Sequence, residues 1–587
     1  MTDQFHAWNP GLGSDIPRHL LPLVTLFREE NGFVSYREAK ELSDLTGLKL
    51  NELVAFRPQR LVVHTLLVRV TADLSVPDGP NYEELGLNLR GMVETIHHQY
   101  VLPEIDAICE LFDSEKERVR DFISQQLSEQ LSDRSKQDEK PAQAPSLLAR
   151  LLGKKKPVDQ PVPSQESLAL EAIDHWRLQF TNDSRNMQDV CYRALVKIVG
   201  SIVGHRGALR IDQELVARIA TNMVCNRYVA QVVDEFIAPL FDRAVEVEGY
   251  RLLPAQQKPV IMNVKGASAS GKSTIRPQQR ELAGKLNIPW EDFALISPDY
   301  WRKYLLEYQS LGEDYKYGAM LTGTELETID KKLDRYMELK ASSGEMSHLL
   351  IDRFRFDSFT VDIDRAADSK LLSRFGDQVY LFFVVTPPAE TVTRAWLRGI
   401  ETGRYKAVDD LLYHNVEAFT GMPALFLSWI NSKDRKVHFE FLDNDVPLGE
   451  LPRTAAFGWN GTMTVLDVQL MQNIDRYRQV DITAQQADDI LKSDPAKESA
   501  YTDFIKQCSQ TVSHLDFADR DTLQIYACIR DGSLIWWDDD YISRHKDNVS
   551  LQQTLAALGF PNQQCEAQQN QPDPIDKASE EQYLVGQ

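Results

Sequence analysis

Gly266-Ala267-Ser268-Ala269-Ser270-Gly271-Lys272-Ser273, followed by Thr274, sets how the rest of this chain is read. Ahead of it, Pro259-Val260-Ile261-Met262-Asn263-Val264 is an apolar run of buried-strand length. Behind it, the segment from Lys272 to about Lys285 can be helical. A glycine, four residues and Gly-Lys-Ser between a strand and a helix make a phosphate-binding P-loop. Glycines let backbone amides turn inward around phosphate oxygens, and a helix N-terminus adds partial positive charge. In that arrangement Lys272 reaches the β- and γ-phosphates and the Ser273 hydroxyl ligates Mg²⁺. The expectation is a nucleoside triphosphate, held by Gly266 through Thr274.

The bulk numbers bound what else is possible. A length of 587 residues suggests three or four domains with real cores. A net charge of −22 argues against a surface that coats nucleic acid non-specifically, although a local basic groove is compatible with it. Six scattered cysteines, without a CxxC pair, support neither a zinc site nor a disulfide framework. The first residues lack a basic stretch followed by an apolar one, and no apolar run reaches membrane-spanning length. A cytoplasmic protein is expected.

Residues 1–133 read as a mainly helical domain. Ser35-Tyr36-Arg37-Glu38 forms a capping box, and Thr46-Gly47 supplies the stop. Glu41 through Leu53 fits either a helix-turn-helix or two plainly packed helices, and Leu61–Val68 either a strand or a buried helix. His64 reads as a core histidine. Proline and polar residues over 134–167 predict a flexible linker, in which Leu147–Leu152 with Lys154-Lys155-Lys156 could also dock or meet a membrane surface. Residues 168–250 are helical again, with Asp212–Ala244 as a long core helix broken near Pro239. Residues 462–560 suggest a small α+β domain with a hairpin turning at Asp531-Gly532, and 561–587 a disordered Gln-rich tail.

The chemistry lies between the P-loop and residue 450. Phe293–Ser297 reads as a strand, and Pro298-Asp299-Tyr300-Trp301-Arg302 follows at its carboxyl end, the edge where phosphate and substrate meet in an α/β sheet. One helical turn apart, Asp299 can take a hydroxyl proton while Arg302 orients substrate or offsets developing charge. Thr322-Gly323-Thr324-Glu325-Leu326-Glu327 offers two overlapping capping boxes, and Thr324 and Glu325 are candidates for contact with an acceptor. His348–Asp352 is a strand ending in an acid, so Asp352 is a candidate for Mg²⁺ or for the acceptor. Val379–Val385 is a further buried strand, closed by Thr386-Pro387-Pro388. The helix after it carries Arg394 and Arg398 on one face, with Gly403-Arg404-Tyr405 beyond; arginines there can neutralise transferring phosphate charge.

Taken in order, these pieces resemble the zeta-toxin family of P-loop kinases and, more distantly, phage-type polynucleotide kinases, over residues 257–447 or so. The resemblance implies use of Mg-ATP, Asp299 as base, and Lys272 with the arginine cluster on the phosphates. It also implies a hydroxyl acceptor, which in zeta toxins is a UDP-N-acetyl sugar. Two departures stand out. Pro277 falls just inside the P-loop helix, where it can kink it, and Arg353-Phe354-Arg355-Phe356 replaces the small residues common in the family after the Ile-Asp strand.

The expected fold is therefore α/β: a P-loop kinase core with a parallel sheet over 251–450, after a mainly helical region and before a small α+β module. The expected activity is transfer of the γ-phosphate of ATP, with Mg²⁺, to a small-molecule hydroxyl, such as that of a nucleotide sugar. The competing expectations are a polynucleotide 5′-hydroxyl kinase and a nucleotide-gated scaffold that engages a protein partner without phosphoryl transfer.

Overall fold

The computed structural model describes residues 5–79, 82–131, 165–181, 185–207, 209, 212–353, 372–447, 449–491, 501–560, 572, 575 and 583–587. The expected linker core, the residues Phe354–Phe356 and most of the tail before Tyr583 lie outside them. The chain divides into two compact units. One comprises 18–66 and 94–248, and the other 1–17, 67–93 and 249–587. Among the described residues, no helix is long and apolar enough to cross a membrane.

The first unit is helical. The capping box at Ser35 is real: its hydroxyl accepts from the Glu38 N–H, and the helix α1, Tyr36–Thr46, ends on Gly47 in the left-handed conformation. The stretch Leu61–Val68 belongs to a helix, α2 (Pro58–Asp73), so the strand alternative falls. His64 is buried there, edge-on to Phe56 at 4.6 Å. After α3 (Tyr82–Ile96) and α4 (Ile105–Leu131) come α5 (Gln165–Arg177) and α6 (Met187–Arg206). The start of α5 takes residues 165–167 out of the expected linker. The boundary between units falls within α2 and α3.

The expected break at Pro239 is not found. Instead α7 (Gln213–Val224) passes through a π turn at Cys225–Val229 into α8 (Ala230–Glu248), which carries Pro239 in its interior. Val233, Ile237, Phe241 and Ala244 are all buried along α8. That tertiary packing outweighs the backbone hydrogen bond a helical proline forfeits.

The second unit is mixed α/β, built on one ten-stranded sheet ordered β10-β9-β8-β7-β6-β5-β4-β1-β3-β2. The strands are β1 (Val260–Lys265), β2 (Phe293–Ile296), β3 (His348–Asp352), β4 (Gln378–Val385), β5 (Lys436–Asp443), β6 (Arg453–Trp459), β7 (Thr462–Val465), β8 (His514–Ala518), β9 (Ile525–Arg530) and β10 (Ser533–Trp537). From β2 to β5 every neighbouring pair is parallel, with β1 in the middle. Central parallel strands are covered on both faces, which is why β1 and β4 read as unbroken apolar runs.

On one face Val379, Leu381, Phe383 and Val385 of β4 meet Phe439 and Phe441 of β5, beneath Phe419, Met422 and Phe426. These last three come from the helix Val408–Ile430. Residues 462–560 extend the same sheet rather than forming a separate one, because β6 pairs antiparallel with β5 and carries the ladder onward to β10. The hairpin turn is at Asp531 (φ 47°) and Gly532 (φ 79°), the positive angles a two-residue hairpin needs.

The end of the chain is not a loose tail throughout. The N–H groups of Val585 and Gly586 each donate to a carboxylate oxygen of Glu440, both at 2.9 Å. Gln587 exchanges backbone hydrogen bonds with Pro452 and Thr454. Tyr583 stands edge-on to Trp459 at 5.1 Å. Residues 583–587 thus cover the second face of β5 and β6, correcting the expectation of disorder for that part.

Candidate functional site

Five segments end or follow parallel strands, so the sheet delivers them to one edge. The loop at Gly266 leaves β1, Asp299 follows β2, Asp352 ends β3, Thr386 follows β4 and Asn444 follows β5. In an open α/β sheet this carboxyl edge is where ligands bind.

The loop is shaped by contacts its neighbours make. Ala269 (φ 62°) and Gly271 (φ 84°) both lie in the left-handed region. The Ser270 carbonyl accepts from the Thr386 hydroxyl at 2.8 Å and from Asn444 Nδ2 at 2.7 Å. A Cβ on Gly266 would sit 2.9 Å from the Val384 carbonyl, and one on Gly271 only 2.4 Å from Asn444 Nδ2. Both glycines are therefore required by the backbone's close approach. Next comes a 3₁₀ turn, Lys272–Ile275, and only then the α-helix α9, Arg276–Lys285. Pro277 falls in the first turn of α9, where its missing N–H costs nothing. The feared kink is thus a change of helix type one turn earlier.

Lys272 Nζ folds back on its own loop, donating to the carbonyls of Ala267 (2.9 Å) and Gly266 (3.2 Å). Burial pushes its ammonium below the usual lysine range. The charges of Asp352 and Asp299 draw it back up, while Arg398 and Arg404 push it down. The groups named from scattered sequence positions therefore surround Lys272.

Asp299 is held between two guanidiniums. Arg302 Nε donates to one carboxylate oxygen at 3.0 Å, and Arg404 pairs with the other. Although burial works the other way, these two charges and their hydrogen bonds hold the carboxyl far below the ordinary aspartate range. Its side chain remains 39 % exposed, so the carboxylate is accessible. Arg302 also donates to the Thr322 hydroxyl at 3.0 Å, and Thr322 in turn donates to the Ala319 carbonyl at 3.0 Å.

That accounts for the failure of the capping boxes. Helix α10, Gly323–Ser342, begins after Thr322 with no side-chain cap, because the Thr322 hydroxyl is engaged elsewhere. Thr324 sits inside the helix, and Glu325 is fully buried in its first turn. Glu325 therefore does not face an open acceptor site as expected.

On α11 (Pro388–Thr402), Arg394 donates to the carbonyls of Asn444 (2.9 Å) and Val446 (3.1 Å), and Arg398 lies one turn on. Arg394 thus pins the segment after β5 against the loop, a role different from direct charge neutralisation. Arg404 follows Gly403, the left-handed stop of α11 (φ 76°).

Several neighbours were not among the site residues expected from the sequence. Lys265, the last residue of β1, is 2 % exposed, and burial pushes it well below the lysine range. Arg353 is buried between Asp330 (2.8 Å) and Asp334 (2.6 Å) of α10 and so braces the end of β3. Lys406, Asp410 and His414 form a contiguous polar group, with Asp410 and His414 on α12 (Val408–Ile430). Asp410 and His414, four residues apart, share one face of α12, whereas Lys406 precedes the helix, and no motif in the sequence marks the three.

For a triphosphate the fit is favourable: a backbone cradle that a Cβ would fill, with Lys272, Arg398 and Arg404 around it. For Mg²⁺, Ser273 and Asp352 are the oxygen donors on offer. Among the described residues no group of three or more His, Cys, Asp or Glu side chains converges. Mg²⁺ held largely by phosphates and water needs only one or two protein oxygens. Compared with protein-family models, with curated proteins and with solved structures, the chain gives no match.

Proposed function

We propose that this chain is a Mg-ATP-dependent phosphotransferase that delivers the γ-phosphate to a hydroxyl of a small molecule, with nucleotide sugars the first acceptors to try. The observation that carries the reading is that Lys272, Asp299 and Asp352 all follow or end parallel strands at one carboxyl edge of the sheet, with Arg302 and Arg404 on the Asp299 carboxylate. The parallel order β2-β3-β1-β4-β5, with the loop leaving the central strand, supports a P-loop kinase core. An NTPase that hands phosphate to water has no need of a carboxylate fixed between two arginines, whereas a kinase must orient an incoming hydroxyl.

In this reading the loop amides and Lys272 bind the β- and γ-phosphates. Ser273 and Asp352 would hold Mg²⁺, which supplies charge neutralisation on the phosphate oxygens. Asp299 accepts the proton of the acceptor hydroxyl as that oxygen bonds to the γ-phosphorus. The bond from phosphorus to the β–γ bridging oxygen breaks, and its electron pair leaves with ADP. Arg398, Arg404 and Arg302 face the charge that spreads over the equatorial oxygens.

The test uses purified full chain, γ-labelled ATP, Mg²⁺ and separate arms of UDP-N-acetyl sugars, a metabolite extract and 5′-hydroxyl oligonucleotides. Label is expected on a small molecule with wild type, and on none with Lys272→Ala or Asp299→Asn. Label on the oligonucleotide alone would transfer the reading to a polynucleotide kinase. ATP binding without transfer in any arm would favour a nucleotide-gated scaffold.

A further inference from the structure

We propose that Lys406, held in place by His414 and Asp410, is a further phosphate-binding cation of this site. This rests on the nucleotide-binding reading above and adds to it a residue and two positioning partners that the P-loop pattern does not contain.

Lys406 stands just ahead of α12, whose first turn bears Asp409 and Asp410. A cation near a helix N-terminus opposes the helix dipole, so helix stability gives no reason for a lysine there. Something else holds it. Its ammonium lies 3.2 Å from Asp410 Oδ2 and against the His414 ring, close to Nδ1 and 3.3 Å from Nε2.

An ammonium only donates, so Nδ1 carries no proton and His414 is neutral. The proton then sits on Nε2, which is 3.4 Å from Asp410 Oδ1. Asp410 thus fixes the ring and steadies the ammonium at once. Burial and the adjacent Lys406 charge both keep His414 well below the usual imidazole range, as this tautomer requires.

The group faces the reaction centre. Lys406 is acted on by Asp410 and His414 from α12, by Arg398 from α11 and by Asp299 from beyond β2. His414 is acted on by Lys406, Lys272, Asp299 and Arg302. Arg404, two residues before Lys406, is ion-paired with Asp299, so the segment that carries Lys406 is anchored at the candidate base, and the Lys406 side chain is 18 % exposed. Burial lowers Lys406 to about 8, with Arg398 pushing further down and Asp410 and Asp299 pulling up. The arginines nearby keep their charge at every accessible pH. Lys406, unlike those arginines, loses its charge just above neutrality.

The experiment is Mg-ATP binding by calorimetry between pH 7 and 9.5, above the phosphate's own ionisation near pH 6. Wild-type affinity should hold to about pH 8 and fall above it. Lys406→Met should bind roughly tenfold more weakly at pH 7, the loss of one charged hydrogen bond, and show no such fall. Lys406→Arg should restore binding and stay flat to pH 9.5. Asp410→Asn should move the wild-type fall to lower pH, which a merely structural role would not do. Equal profiles for wild type and Lys406→Arg, or unchanged binding by folded Lys406→Met, overturn the proposal and leave the nucleotide reading intact. Wild type that binds no Mg-ATP, or binds it no better than Lys272→Ala, overturns both.

Discussion

Asp299 and Arg404 form an ion pair that joins the end of β2 to the segment after α11, and Arg302 Nε completes a clamp on the same carboxylate at 3.0 Å. The residue proposed to take the hydroxyl proton is thus pinned by two guanidiniums. A carboxyl held so far below its ordinary range is a weak base. In the proposed reaction its contribution would be to orient the hydroxyl and receive the proton late, once phosphorus–oxygen bond formation has made that proton acidic.

Asp299→Asn should lower phosphoryl transfer on the order of 10²–10⁴-fold. Mg-ATP affinity should hold or improve, because neutralising the carboxylate releases Arg302 and Arg404 toward the phosphates. Calorimetry beside a transfer assay checks this. A loss of ATP affinity as large as the loss of rate would mean that Asp299 only shapes the pocket.

Gly271→Ala should impair both stability and nucleotide binding. The added Cβ would lie 2.4 Å from Asn444 Nδ2 at a residue whose φ is 84°. Moving Asn444 away breaks its 2.7 Å bond to the Ser270 carbonyl. The expected cost is about 1–3 kcal/mol in denaturant unfolding, with Mg-ATP binding lost more than about tenfold through the charged contacts it disturbs. Adding Asn444→Ala removes the clash and should recover part of the stability. Strict additivity of the two changes would show that they do not meet.

What could be read from the sequence was whatever is local. The P-loop glycines, the acid after β2 and the apolar runs of β1 and β4 each announce themselves within a few residues. What escaped was set by tertiary partners. Thr322 looked like a cap, yet its hydroxyl is taken by Arg302 from another element. Pro239 looked like a break, yet buried packing carries α8 through it. Arg394 looked like a phosphate ligand, and its guanidinium instead holds the carbonyls after β5. Asn444, Lys406 and His414 carry no motif, and only strand order brings their segments to the loop. The second sheet face was unreadable for the same reason, since it is covered by residues that follow a long Gln-rich stretch.

Arg353→Ala should be among the most damaging single changes outside the P-loop. Arg353 is 7 % exposed, and its guanidinium lies 2.8 Å from Asp330 and 2.6 Å from Asp334. Removing it strands two carboxylates in the interior, a loss of about 3–5 kcal/mol in unfolding free energy. Asp330→Asn with Asp334→Asn in the Arg353→Met background should restore much of that, since the charges needing compensation are gone. If the triple variant is no more stable than Arg353→Ala, packing and not charge holds this corner.

Glu440 makes the last prediction. It is 0 % exposed on β5, takes N–H groups from Val585 and Gly586, and accepts from the Thr454 hydroxyl at 2.5 Å. Burial nevertheless outweighs these bonds and raises its carboxyl from 4.5 to about 7. The folded state thus holds this proton more tightly than the unfolded chain does. The stability it contributes is full below the unfolded value of 4.5, is lost as pH rises toward about 7, and is gone above that. At 1.36 kcal/mol per pKa unit the total swing is about 3 kcal/mol at most. Buried histidines such as His438, pushed down to about 3 by burial, titrate in the opposite sense. The quantity to measure is therefore wild-type minus Glu440→Gln unfolding free energy, in which they cancel. That difference should fall steadily from pH 5 to 7 and level off by pH 8. Removing residues 583–587 should admit water to Glu440, destabilise the protein and erase most of the pH dependence. A full-size swing in the truncated chain would show that the tail does not seal this carboxylate.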